Sequence, residues 1–146
     1  MLIREVLYQD FFGLLTLYTH LHSSEMPHID SSLQDIWNAI LDDTNHHILV
    51  AFENDVIVSS CALIIVPNLT HKQKPYGIIE NVITHPLHRK KGYAGQVLDY
   101  AKKLAVDNNC YKIMLMTGSK EASTFRFYEE AGYNSKDKTA FIQWLD

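Results

Sequence analysis

The chain has 146 residues, the length of one domain of ordinary size. Its 47% hydrophobic and 21% charged residues are a globular balance and exclude a disordered chain. Thirteen Lys plus Arg against seventeen Asp plus Glu give a formal charge of −4, without the basic excess of a general nucleic-acid binder.

The longest apolar stretch, Cys61 to Val66, is far too short to span a bilayer. The opening Met1-Leu2-Ile3-Arg4-Glu5 carries an acidic residue at once and no uninterrupted apolar run follows, so no secretory leader is expected. Cys61 and Cys110 are far apart and form no C-x-x-C pair, which suits free thiols in a reducing compartment. The expectation is one soluble, cytoplasmic domain over residues 1–146.

Leu2 to Leu7 reads as a first strand. Asp10 can cap a helix from Phe11 to about His22, with Leu14, Leu17, Tyr18 and Leu21 on one face. Pro27 breaks the loop that follows. Ser32 can cap a second helix, where Leu33, Ile36, Trp37, Ile40 and Leu41 recur at helical spacing. His47 to Phe52 and Val56 to Val66 flank the polar turn Glu53-Asn54-Asp55 and predict a hairpin. A polar loop from Pro67 to Pro75 precedes another strand, Tyr76 to Thr84.

A short polar loop from His85 then leads into an amphipathic helix carrying Ala94, Val97, Leu98, Ala101, Leu104 and Ala105 on one stripe. Tyr111 to Thr117 is a short apolar strand, and Ser123 to Ala131 a short helix with Gly132 as its C′ residue. Tyr133 to Ser135 and Thr139 to Leu145 are predicted to close the fold as two strands. Trp37 and Trp144 sit in apolar patterns and are expected in the core. The order β-α-α-β-β-β-α-β-α-β-β combines an antiparallel hairpin with a right-handed β-α-β crossover. It predicts an α/β or α+β domain, a mixed sheet with helices on its faces.

The run His88-Arg89-Lys90-Lys91-Gly92-Tyr93-Ala94-Gly95 lies between a strand and a helix start. Free N–H groups and the helix dipole make such a place suited to anions. Gly92 and Gly95 allow close backbone approach, and Arg89, Lys90 and Lys91 add positive charge. Two readings are open: a solvated basic turn, or a site for a phosphate or pyrophosphate. The P-loop pattern and the dinucleotide G-x-G-x-x-G are both absent. What stands there is Arg-x-x-Gly-x-Ala at Arg89, Gly92 and Ala94.

With this loop, preceded by Thr84-His85-Pro86, and with the late run Phe127-Tyr128-Glu129-Glu130-Ala131-Gly132-Tyr133, the chain resembles the GNAT superfamily of acetyl-CoA-dependent N-acetyltransferases. Ile3-Arg4 followed by Asp10 before a helix is also similar to that family. Within it, Ile79-Glu80-Asn81-Val82 and Cys110-Tyr111-Lys112-Ile113 look like the glucosamine 6-phosphate N-acetyltransferases. The resemblance implies a mostly antiparallel sheet flanked by helices, acetyl-CoA as co-substrate, no metal, and a primary amine of a small molecule, or of a peptide or protein, as acceptor. It also admits a homodimer. Two places depart from the family pattern: Glu121 stands where an Asn is common, and Thr124 where a small residue is.

The resemblance further implies that the diphosphate of coenzyme A takes N–H groups from Lys91, Gly92, Tyr93, Ala94 and Gly95, beside Arg89 and Lys90. The pantetheine would pair with the backbone of Val82, Ile83 and Thr84, with the Val82 N–H toward the acetyl oxygen. Tyr128 is then the general acid, against the plainer reading of an aromatic packing residue. Glu80, two residues before Val82 on the same expected strand face, is either the base or a surface ion-pair partner. His85 is a weaker base, or a loop cap. Glu25 and His28 fall in the loop expected to close over the acceptor.

His20, His22, His46 and His47 lack metal-ligand spacing. Cys61 and Cys110 lie in apolar strand contexts away from the motif histidines, which favours direct attack in a ternary complex over a covalent carrier. A non-catalytic acyl-CoA sensor and an adaptor using Arg89 to Lys91 are the alternatives. The net acidic charge speaks against the adaptor.

Overall fold

A computed structural model describes residues 1–146. Five strands, β1 (Leu2–Glu5), β2 (His46–Glu53), β3 (Val56–Val66), β4 (Tyr76–Thr84) and β5 (Ile113–Leu115), lie side by side in chain order. Neighbours from β1 to β4 are antiparallel, and β4 pairs with β5 in parallel. The four α-helices are α1 (Phe11–Tyr18), α2 (Ser31–Asp42), α3 (Tyr93–Asp107) and α4 (Ala122–Glu130). The expected mixed, mostly antiparallel sheet with flanking helices is therefore present. No helix is long and apolar enough to cross a membrane.

The centre of the sheet is β3, buried along most of its length. Its residues alternate between two cores, as a strand covered on both faces requires. One core joins Leu49, Val58, Leu63 and Ile79 to Tyr93, Val97, Leu98 and Ala101 of α3. The other joins Val50, Ile57, Ala62 and Ile83 to Leu14 and Leu17 of α1 and Trp37 of α2. Two buried serines sit in this apolar strand because each finds a partner. Ser60 donates to the Leu49 carbonyl at 2.7 Å, and Ser59 donates to the Ile83 carbonyl at 3.0 Å.

Several boundaries differ from the sequence reading. Helix α2 is capped by Asp30, not Ser32: the Asp30 backbone is extended and its carboxylate accepts the Leu33 N–H at 2.9 Å. Helix α1 stops at Tyr18, and the chain tightens through His20 N–H to Leu17 and Leu21 N–H to Tyr18. That tightening turns Leu21 and His22 away from the helix line. Strand β5 is three residues long, not seven.

The two closing strands at 133–135 and 139–145 do not form, and every residue from Asn134 to Asp146 is exposed. An apolar pattern becomes a strand only when it lies beside a partner edge, and this segment pairs with none. Trp144, at 77% exposure, is accordingly not a core residue, whereas Trp37 is buried.

Asp10 serves in a way the sequence did not suggest. Its side chain accepts no N–H of α1 as a cap. Its carboxylate instead accepts two hydrogen bonds from Arg4, at 2.6 and 3.1 Å, and the Leu7 N–H at 2.7 Å. This ties the end of β1 to the start of α1. Burial alone would raise the Asp10 carboxyl, but the Arg4 and Leu7 bonds and the Arg4 charge hold it below its usual 3.8. A depressed folded value contributes stability that is present above the ordinary value and lost as the pH falls below it. Asp10→Asn is expected to cost about 2–3 kcal/mol at neutral pH in urea unfolding, with the difference from wild type shrinking in acid.

Candidate active site

Strands β4 and β5 pair only through Gly77–Ile113, Ile78–Met114 and Ile79–Leu115. Beyond Ile79 the β5 side of β4 has no strand neighbour. At the same point β4 carries a bulge: Ser60 pairs with Ile83 and Ala62 with Glu80, so Asn81 and Val82 stand opposite the single Cys61. Asn81 takes φ = +53°, the left-handed region that Asn tolerates better than most residues.

The extra residue reverses the side-chain phase. Ile79 packs in the α3-side core, while Ile83 packs in the α1–α2 core. Val82 packs against the α3 side. Glu80, next to Ile79, therefore lies on the opposite face from Val82, which corrects the expectation that the two share a face.

Both nevertheless line one cavity of about 360 Å³, because it opens where the strands part. Glu80, Asn81 and Val82 form one wall, Met116 to Ser119 the facing wall, Leu21 and His22 one end, and Tyr128 projects in from α4. Glu25 and His28 are exposed and are not among the lining residues, so the tightened end of α1 fills the place expected of them.

Tyr128 is held by the end of its own helix. The Tyr133 N–H donates to the Tyr128 carbonyl at 2.9 Å, and the Gly132 N–H to Glu129 at 3.0 Å. With Gly132 at φ = +99°, this is a Schellman ending. It folds Tyr133 back so that its ring meets Tyr128 edge-on, with centroids 6.1 Å apart. Phe127 packs at 5.0 Å. The run from Phe127 to Tyr133 is thus a physical unit that aims one phenol. Burial, with Cys61 adding, pushes the Tyr128 hydroxyl above its usual 10. Glu121 stands exposed at the start of α4 without capping it, and the Thr124 hydroxyl is 2.9 Å from Ser119.

At the far end of β4, the loop into α3 contains two left-handed residues, Lys90 at φ = +61° and Gly92 at +85°. Such alternation turns successive N–H groups toward one concavity. Helix α3 has no side-chain cap and no acidic residue in its first turn, so the N–H groups of Tyr93, Ala94 and Gly95 are left for an outside acceptor. A Cβ at Gly95 would meet nothing of the protein within 4 Å. Lys90 and Lys91 are exposed. Arg89 reaches back to the Thr84 carbonyl at 3.4 Å. The Ile83 and Tyr93 side chains are buried, so these two residues offer the cleft only their backbone.

Glu53, read from the sequence as part of a polar turn, reaches this loop from the β2–β3 hairpin. It accepts the Tyr93 hydroxyl at 2.8 Å and Lys91 Nζ at 3.3 Å, and it pairs with His88. The Tyr93 hydrogen bond first, then Lys91 and the His88 charge, hold its carboxyl below the ordinary value despite partial desolvation. No local signal marks it, since its partners lie 35 to 40 residues away in sequence. His85 accepts the Leu87 N–H at 3.2 Å, the capping alternative. Burial and the neighbouring His20, His88 and Arg89 keep it below the usual imidazole value.

The architecture is a layered mixed sheet that splays beside an uncapped helix start. The sequence model of the Acetyltransferase (GNAT) family matches residues 9–133, and the chain belongs to that family. A glucosamine 6-phosphate N-acetyltransferase of Trypanosoma brucei brucei is 28% identical over 82 residues, 56% of this chain. The chain spans about half, 54%, of the length of that relative. A solved structure from Agrobacterium tumefaciens str. C58, put forward as an acetyltransferase, superposes with TM-score 0.92 at 36% identity over 99% of this chain and 100% of its own. The glucosamine-6-phosphate N-acetyltransferase of Arabidopsis thaliana shares the fold with TM-score 0.87 at 20% identity, over 99% of this chain and 98% of its own.

Gly132→Ala places a Cβ on a left-handed residue and is expected to lower stability by about 1–2 kcal/mol in thermal or urea unfolding. Because Tyr133 is folded back by this cap, the near-ultraviolet dichroism of the tyrosines should weaken as well.

Proposed function

We propose that this chain is an N-acetyltransferase that moves an acetyl group from acetyl-CoA to a primary amine of a small molecule, by direct attack in a ternary complex. The observation that carries the reading is the meeting of Glu80, Val82 and Tyr128 at one cavity, with an anion-binding loop at the end of the same strand. The residues fit the co-substrate. The turn at Lys90 to Gly95 suits a diphosphate, and the unpaired side of β4 from Val82 to Thr84 suits an amide-bearing arm laid alongside as an added strand. When bound, acetyl-CoA supplies an activated thioester carbonyl.

The chain's own groups then divide the work. Glu80, exposed at the cavity wall, takes a proton from the acceptor ammonium, directly or through water, so that a neutral amine can attack. The Val82 N–H donates to the oxygen that gains charge, a contribution typically about 2.7–4 kcal/mol. Tyr128 gives its proton to the departing sulfur as the carbon–sulfur bond breaks, and the proton that the attacking nitrogen sheds on becoming an amide returns to the phenolate through water. Cys61 takes no part: it is buried on β3, and burial pushes its thiol up to about 12. The glucosamine 6-phosphate N-acetyltransferase relative makes amino sugar phosphates the first acceptors to try. The two free thiols suit a cytoplasmic setting.

The test is acetyl-CoA-dependent thiol release with a panel of primary amines. Tyr128→Phe is expected to lower kcat roughly 100-fold on the best acceptor, with KM for acetyl-CoA little changed. An unchanged kcat removes Tyr128 from this role. Binding of CoA without transfer to any amine would favour an acyl-CoA sensor.

Because the Tyr128 hydroxyl lies above 10, it stays protonated through the neutral range. kcat/KM should therefore show no falling limb from this phenol below 10. Glu53→Ala, which releases Lys91 and Tyr93, should raise KM for acetyl-CoA several-fold and leave kcat unchanged.

A further inference from the structure

Tyr18 carries a polar atom that the chemistry above does not use. It is the last residue of α1, and its ring packs against the core that includes Ala62 and Ile83. Its hydroxyl is sealed from water and makes no hydrogen bond. A buried donor without a partner is costly, and a phenylalanine would fill the same space without that cost. Burial pushes the hydroxyl up to about 12, against the pull of the Ser60 hydroxyl and the Asn81 side chain. It therefore stays a donor throughout the neutral range.

The ring lies under the bulge of β4. Ala62 pairs with Glu80 and Ser60 with Ile83, so these pairs flank the two residues that bulge, Asn81 and Val82. Of the two polar side chains near the hydroxyl, Ser60 already donates to the Leu49 carbonyl at 2.7 Å and is fixed deep in the sheet. Asn81 is exposed on the cavity wall, at φ = +53°. Left-handed backbone is uphill for a residue with a side chain, and its surroundings must hold it there. The backbone of Tyr18 serves the same cavity. Its carbonyl accepts the Leu21 N–H at 3.0 Å, in the tightened turn that leaves Leu21 and His22 at the cavity end.

We propose that Tyr18 is a positioning residue for the bulge: its hydroxyl donates to the side-chain oxygen of Asn81 and holds the left-handed turn that sets Glu80 and the Val82 N–H around the cavity. A small rotation of the Asn81 side chain aligns the pair, as hydrogen bonds of a reacting site tighten when it fills. Tyr18 touches neither the substrates nor the reacting atoms. It acts through Asn81, so its loss misplaces the Val82 N–H and leaves the anion loop at the far end of β4 as it was. The effect on rate rests on the acetyl-transfer reading, whereas the contact with Asn81 does not.

The test is Tyr18→Phe, which keeps the ring and removes one oxygen. On the best acceptor kcat should fall roughly tenfold, with KM for acetyl-CoA moving less than about twofold. The melting temperature should stay level or rise, because an unpaired buried hydroxyl is gone. A residue needed only for packing would leave kcat as it was. Asn81→Gly, which keeps the left-handed backbone accessible, should show the same loss of kcat, and Tyr18→Phe should add nothing to it. In the nitrogen-15-labelled chain without substrate, Tyr18→Phe should shift the Asn81 side-chain amide and the Val82 backbone amide and leave those of Gly92 and Gly95 in place. An unchanged kcat overturns the proposal, and so do losses that multiply in the double variant, or Asn81 and Val82 resonances that do not move. If the wild type acetylates no amine, the acetyl-transfer reading fails, and the amide shifts alone decide whether Tyr18 holds Asn81.

Discussion

The site depends on a ladder that stops. Parallel pairing of β4 with β5 lasts three residue pairs and ends at Ile79 and Leu115. From there to Thr84 one side of β4 has no neighbouring strand, in a domain whose other backbone groups are largely paired. Exposed backbone of this kind must meet water or a ligand. The bulge at Asn81 and Val82 adds a local rotation, so that Glu80 and Val82 leave opposite faces of the strand yet border the same opening. The loosened end of β4 stays in place because β3 holds it. Ser59, fully buried, reaches the Ile83 carbonyl and lies 2.8 Å from the Thr84 hydroxyl. The strand is fixed on one side and free on the other.

Two left-handed turns set the groups around that opening. Lys90 and Gly92 aim N–H groups outward before α3, and Gly132 turns the chain back after α4. The charges act locally. The chain is acidic overall at −4, but exposed charges more than about 8–10 Å apart are largely screened at physiological salt. An anion at the start of α3 would meet Lys90, Lys91 and free N–H groups at contact range. Glu53 sits among them and holds Lys91 and Tyr93 to the β2–β3 hairpin, so the loop gains order at the expense of some positive charge.

What the sequence revealed follows from the range of the forces. Helix α3, the β2–β3 hairpin and the Gly132 cap are set by local periodicity and turn chemistry, and each was legible. The start of α3 just after Gly92 was legible because a helix start after a strand has its own turn chemistry. Glu53 was not, because its partners come from another part of the chain. The bulge was not, since Asn81 sits in an otherwise regular strand pattern, and the inference that Glu80 and Val82 share a face failed with it. Thr139 to Leu145 shows the converse error. Its pattern is that of a strand, but a strand is a relation between two segments, and no edge of its own chain lies beside it. Asp30 replaced Ser32 because capping depends on backbone conformation as well as residue type.

The proposed role of Tyr128 turns on proton affinity. In water a phenol near 10 would hold its proton against a thiolate near 8.5, so transfer would run uphill. Inside this domain both scales move. Burial raises the Tyr128 hydroxyl, and it raises the Cys61 thiol from 9.0 to about 12. Cys61 marks the buried extreme, since burial on β3 pushes its thiol up. The cavity beside Tyr128 is wetter, because Glu80, Asn81 and Met116 on its walls are exposed, so a thiolate leaving there would keep more of its water. Burial raises the phenol as well, and desolvation alone therefore leaves the gap in place. The proposed transfer rests instead on timing: the phenol donates a hydrogen bond while the carbon–sulfur bond lengthens, and passes its proton as charge develops on the sulfur.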